Sequence, residues 1–108
     1  MQAHVQPVLP AEPFTVFRAL PLKAWLLEQL DTHPEALFLD LSTVEEIDTA
    51  GVQLLLMLKR EAESRACRLT VAAPSEPVRA VFELYGLGCE LRAMLAVDDD
   101  ESLRRLGG

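Results

Sequence analysis

Segments of strand-like and helix-like patterning alternate along this chain, and the alternation predicts an α/β layer architecture within one domain. Three observations carry the prediction. Residues Ala36-Leu37-Phe38-Leu39-Asp40-Leu41 form a nearly continuous apolar run ending in an acid, the pattern of a strand covered on both faces. Leu22, Trp25, Leu26 and Leu30 recur at helical spacing before it, and a second helical segment follows. With 108 residues, half of them apolar and a quarter charged, the chain has room for one core and no second full domain. A chain of this length buries roughly two thirds of its unfolded surface, enough for a core without disulfides.

The elements follow in order. Prolines at 7, 10 and 13 exclude a regular helix in the first stretch and allow only short edge strands. Val8-Leu9 and Phe14-Thr15-Val16-Phe17 are expected as strand material around a turn. A helix is expected from Ala19 to about Asp31, with Pro21 in its first turn, where a missing N–H costs little, and the Thr32-His33-Pro34 break behind it. The run at 36–41 is expected at the centre of the fold. A loop through Thr43-Val44-Glu45-Glu46-Ile47 leads to a second helix, from Thr49 or Ala50 to Ser64, with Thr49 as its N-cap. Arg68-Leu69-Thr70-Val71-Ala72 reads as the next strand. Ser75 and Glu76-Pro77 open a third helix through Leu84, and Gly86 or Gly88 stops it. A last short strand is expected within Leu91 to Val97, and a final helical turn over residues 102–106.

Charge and composition remove several function classes. Seventeen acidic against ten basic residues give a net charge of -7 and a pI near 4.7, which repels phosphate backbones and anionic lipid surfaces. Nucleic acid is therefore not an expected partner. No apolar run is longer than that from Leu54 to Leu58, far below the roughly 18 residues of a membrane span, and the first residues lack a basic cluster followed by an apolar core. A cytoplasmic location without membrane insertion is expected. Cys67 and Cys89 lie 22 positions apart without nearby histidine, which is not zinc-ligand spacing, so they read as two buried, reduced thiols. No metal or other cofactor is expected.

Enzyme readings also fail on particular residues. Asp40 ends a predicted central strand, but an aspartate-based phosphatase would want a second aspartate at 42, where Ser42 stands. A receiver domain would want an early acidic pair and a late lysine, yet the lysines are Lys23 and Lys59. Hydroxyls and thiols abound, but the two histidines lie at predicted breaks and there is no Gly-x-Ser-x-Gly elbow or glycine-rich phosphate loop. The run Asp98-Asp99-Asp100-Glu101 reads as a solvated cap before a short helix rather than a cation site. Chemistry is more readily done to this chain than by it.

Residues 40–51 stand out. Asp48 and Thr49 mark a helix start, where a hydroxyl is presented beside free backbone donors that suit an anion. Gly51 opens access to the backbone there, at about 1 kcal/mol relative to alanine. The helix behind them is apolar nearly all round over Val52, Leu54, Leu55, Leu56, Met57 and Leu58, more than one packed face needs, so part of it is expected to meet a partner.

These residues carry a resemblance. Leu37-Phe38-Leu39-Asp40-Leu41-Ser42, then Ile47-Asp48-Thr49-Ala50-Gly51-Val52 and Leu54-Leu55-Leu56, resemble the STAS family, the domain shared by anti-sigma factor antagonists and sulfate transporters. Arg68-Leu69-Thr70-Val71 and Pro77 through Leu87 are similar to its later strand and third helix. The resemblance spans about residues 14–106 and is densest over 37–87, so residues 1–108 read as a single STAS-like domain that departs most over 1–13. It implies a mixed β-sheet of four to five strands with helices packed on one side. It implies, too, a non-enzymatic signalling switch that binds a kinase-type anti-sigma factor, or a chemotaxis-type partner, until a hydroxyl is phosphorylated. By position in the Asp-Ser-x-Gly motif that hydroxyl is Thr49, preceded by Asp48 and followed by Ala50 and Gly51. Asp48 would orient the hydroxyl or the attacking group, Gly51 would permit close approach, and Asp40 and Ser42 would fix the loop. Gln53 and Met57 are the expected exposed partner face. The sequence also resembles the STAS subunit of a phospholipid-transporting ABC complex, which implies instead constitutive binding to the ATPase subunit. A monomer or weak dimer is expected.

Overall fold

The computed structural model describes residues 7–95. Its elements are a 3₁₀ turn at Val16–Arg18, then α1 (Ala19–Thr32), β1 (Ala36–Asp40), α2 (Thr49–Ser64), β2 (Arg68–Ala72), α3 (Glu76–Leu84) and α4 (Gly88–Met94). The architecture is α/β, with four helices and a small parallel sheet. β1 and β2 pair in parallel with Ala36 opposite Arg68 and Asp40 opposite Ala72, and α2 supplies the crossover between them.

The sheet is narrower than the four to five strands expected. Among the described residues it has two strands, and every bridge flanking them is a single parallel one. Val8 pairs with Leu39 through Val8 N–H to the Phe38 carbonyl and Asp40 N–H to the Val8 carbonyl, each 2.9 Å. Leu41 N–H turns the other way, to the Ala72 carbonyl at 3.0 Å. Val8 therefore lies on the edge of β1 away from β2, while Leu95 bridges Val71. Prolines explain the short first edge, since Pro7 and Pro10 flank Val8 and cannot donate to a ladder.

Two further expectations meet a different local structure. Residues 14–17 do not form a strand: Phe14 makes one bridge to Ile47, and the chain then turns at Val16–Arg18. Of the segment 91–97 expected to hold a short strand, the residues to Met94 belong to helix α4, with Leu91, Met94 and Leu95 buried at helical spacing, and Leu95 bridges Val71 of the sheet. Val97, the acidic run 98–101 and the helical turn at 102–106 lie outside the described residues. β1 buries Leu37 and Leu39 fully and Ala36, Phe38 and Asp40 in part.

The core gathers on that buried face. Leu22, Leu26 and Leu30 of α1 meet Val52, Leu55 and Leu58 of α2, with Leu37, Leu39, Val71, Val78 and Phe82 completing it. Trp25, Leu56 and Met57 pack half-buried against it. The apolar girth of α2 is thus mostly consumed by packing between neighbours. Cys67 is buried with its thiol donating to the His33 carbonyl at 3.3 Å, whereas Cys89 is exposed, against the expectation of two buried thiols. Burial pushes the Cys67 thiol above its ordinary range. At the surface Arg65 joins the ends of α1 and α2 through Asp31 at 2.7 Å and Glu61 at 3.1 Å. Those hydrogen bonds, Asp31 first, hold its guanidinium above its usual value.

Candidate functional site

The start of α2 is assembled by Asp48, which is the N-cap, with Thr49 the first helical residue; the cap is one residue earlier than the spacing suggested. The Asp48 carboxylate accepts from Gly51 N–H at 3.2 Å through Oδ1 and from Val16 N–H at 3.0 Å through Oδ2. One oxygen satisfies an orphan donor of the helix, and the other ties the 3₁₀ turn to it. The strand-like link at Phe14 tightens the same junction, since Asp48 N–H donates to the Phe14 carbonyl at 3.0 Å. Both Asp48 oxygens are thus engaged by backbone N–H groups that fix the junction.

Gly51 takes a role other than the one expected. It is buried, and a Cβ placed there would collide with the Phe14 carbonyl oxygen and come within 2.8 Å of both Ile47 Cγ1 and Phe14 Cβ. The glycine admits the chain's own backbone at Phe14, not that of a partner.

Thr49 remains exposed, and its Oγ1 lies 2.6 Å from the Tyr85 phenolic oxygen at the end of α3. Gln53, one turn further along the helix, is exposed; Ala50 is half-buried; Met57, a second turn on, is half-buried against the core. The structure therefore brings Asp48, Thr49, Ala50, Gly51 and Gln53 to one helix end and leaves Met57 behind. Asp40 and Ser42 shape the preceding loop: Asp40 Oδ1 accepts from the Ser42 backbone N–H at 2.8 Å, an Asx turn that needs the acid but not the serine hydroxyl. Ser75 Oγ donates to the Val44 carbonyl at 2.6 Å and holds the loop from the α3 side. Glu45 and Glu46 are exposed on it and, with Glu12, line a shallow cleft against Pro10 and Pro13.

Sequence reasoning missed the apolar surface beside this site. Phe17 is 89% exposed, Leu20 81% and Leu84 77%, with Val16 and Tyr85 also exposed. The Val16 backbone N–H is bonded to Asp48 and the Tyr85 hydroxyl to Thr49, so these two exposed residues meet the helix start from two directions. The signal was available: Phe17 and Leu20 fall off the Leu22-Leu26-Leu30 face, and Leu84 falls off the Val78-Phe82 face.

A family model described as "Mlab, STAS domain" matches residues 13–96. The chain belongs to the STAS family. Among solved structures, this STAS domain is similar to a sulfate transporter family protein from Wolinella succinogenes, at 21% identity, 94% of this chain and 85% of that one, with a TM-score of 0.65. It is also similar to the anti-sigma factor antagonist SpoIIAA in its unphosphorylated form, at 21% identity, 100% of this chain and 95% of that one, with a TM-score of 0.59. At that identity the likeness shows a shared fold. No curated protein sequence matches the chain. Among the described residues of this STAS domain, no helix is long and apolar enough to cross a membrane.

Proposed function

We propose that this STAS domain is a non-enzymatic bacterial binding switch in the cytoplasm. It engages a kinase-type anti-sigma factor or a chemotaxis-type partner through the loop at residues 40–49 and the start of α2, and phosphorylation of Thr49 ends the engagement. The supporting observation is the placement of Thr49: an exposed hydroxyl on the first residue of a sixteen-residue helix, flanked by apolar side chains that the fold leaves in solvent. In the transfer, Oγ1 gains a bond to the γ-phosphorus of a nucleoside triphosphate held by the partner. The bond to the nucleoside diphosphate breaks, and the hydroxyl proton passes to a base of the partner. The product carries about -1.5 to -2 added charge beside Asp48 and the loop carboxylates Glu45 and Glu46, so binding is lost by like-charge repulsion and bulk.

A second reading has its own support in the "Mlab" description of the matching family model and in threonine at 49. Here the same surface, centred on Thr49 and Gln53, binds the ATPase subunit of a phospholipid-transporting ABC complex constitutively. Incubation with a kinase-type anti-sigma factor and a nucleoside triphosphate, read by intact mass, separates the two. One added phosphoryl group, absent in Thr49→Val, is the result expected of the switch. No added phosphate, together with tight binding to an ABC ATPase, overturns it in favour of the constitutive subunit.

A further inference from the structure

Tyr85 belongs to no element of the motif at 40–51, yet its phenolic oxygen lies 2.6 Å from Thr49 Oγ1 across a sequence separation of 36 residues. Both backbones are fixed by bonds that do not involve these hydroxyls. On the α2 side, the Asp48 carboxylate pins Gly51 and Val16. On the α3 side, Gly86 adopts a left-handed conformation with φ +70. Its N–H donates to the Glu83 carbonyl at 3.0 Å and that of Leu87 to the Phe82 carbonyl at 2.7 Å, which is the paired closure of a Schellman cap around Tyr85. Phe82, fully buried, anchors the same turn. The fold therefore sets where the two backbones stand, within reach of a bond between their side chains. Burial does not demand the pair either, because Thr49 and Tyr85 are both exposed. A half-exposed ring gains no core energy from its hydroxyl.

We propose that Tyr85 is a positioning residue for Thr49, an inference that rests on reading Thr49 as the phosphoacceptor. A phenol is a stronger donor than an aliphatic alcohol, so in the unmodified chain Tyr85 donates to Oγ1 and holds the threonine in one rotamer, leaving the threonine's own proton directed outward. When Oγ1 exchanges that proton for a bond to phosphorus, it becomes an ester oxygen and a poor acceptor. The three peripheral phosphoryl oxygens are strong acceptors, and the phenolic donor moves to the nearest of them. Donation to the charged form favours the dianion. The α3 end is thereby coupled to the modification state of α2.

The full chain, made by joining a synthetic 1–66 segment to residues 67–108 at Cys67, with threonine or phosphothreonine at 49, tests this in wild type and in Tyr85→Phe. In the unmodified wild type, vicinal couplings of Thr49 are expected to report a single rotamer, and in Tyr85→Phe an average. In the phosphorylated chains, phosphorus NMR is expected to place the phosphate titration several tenths of a pH unit higher in Tyr85→Phe, with the melting temperature unchanged in both. Identical couplings and identical titrations in the two proteins overturn the proposal. Should Tyr85→Phe be poorly folded, Thr49→Val supplies the reciprocal reading: a shift of the Tyr85 ring resonances supports the contact, and unshifted resonances overturn it. None of these spectra involves a partner. An absence of phosphoryl transfer in the kinase assay would thus sink the switch while leaving this result standing.

Discussion

At Gly51 a side chain would be driven into the carbonyl oxygen of Phe14, a backbone atom that cannot step aside without breaking its bond to Asp48. Gly51→Ala is therefore expected to destabilise by about 1–3 kcal/mol in urea unfolding, the usual cost of overpacking, where an unobstructed helix would gain about 1 kcal/mol from the same change. The sign alone distinguishes a packing glycine from an access glycine. Asp48→Ala is expected to cost about 1–2 kcal/mol by the same measurement, because it leaves both Gly51 N–H and Val16 N–H without their acceptor. At this scale the sequence pointed to the stretch Asp48 to Gly51, but not to the contacts that Gly51 and Thr49 make. The reason is that Phe14, which makes the glycine necessary, and Tyr85, which meets the hydroxyl, lie more than thirty positions away in opposite directions. Local spacing carries no information about either.

The helix ends show how element boundaries were legible through chemistry and where they were not. α2 and α3 close with the same paired hydrogen bonds: Ala66 to Glu63 and Cys67 to Ala62 in the first, Gly86 to Glu83 and Leu87 to Phe82 in the second. The left-handed residue is glycine only in the second; in the first it is Ala66, at φ +57. The Gly86 stop could be read from the sequence, whereas Ala66 gives no such signal. Ala66→Gly is expected to stabilise by about 0.5–1 kcal/mol, the left-handed penalty of alanine less the extra unfolded freedom of glycine. Gly86→Ala is expected to destabilise by about 1 kcal/mol and, by loosening the turn that carries Tyr85, to broaden the Thr49 resonances. Thermal unfolding with both variants side by side checks the opposite signs. The helix α4 before the Leu95 bridge was not legible for a related reason: a run of seven residues holds too few apolar positions to separate a helical period from a strand before burial is known.

For the molecule as a whole, the alternation of strands and helices was legible, and the sheet's width was not. Proline placement limited the first edge to Val8, and the resemblance implied more strands than the described residues form. The one buried thiol sets an alkaline limit. Cys67 is held protonated in the fold above its ordinary range, so its contribution is fully present below the unfolded thiol's range. That contribution is lost as pH rises through the folded value. Stability measured by denaturant is expected to fall across the alkaline side, with a shallower slope in Cys67→Ala whatever that variant's absolute stability. Of the acidic residues behind the net charge of -7, Glu45 and Glu46 are exposed on the loop, and in the proposed switch they are the carboxylates that a phosphate on Thr49 would join. The central claim is that the helix start at Thr49 is the partner-binding surface. Calorimetric titration of wild type and Thr49→Glu into the kinase-type or ABC ATPase partner tests it most directly. The account predicts loss of binding in Thr49→Glu at an unchanged melting temperature; equal affinity of the two proteins would contradict it.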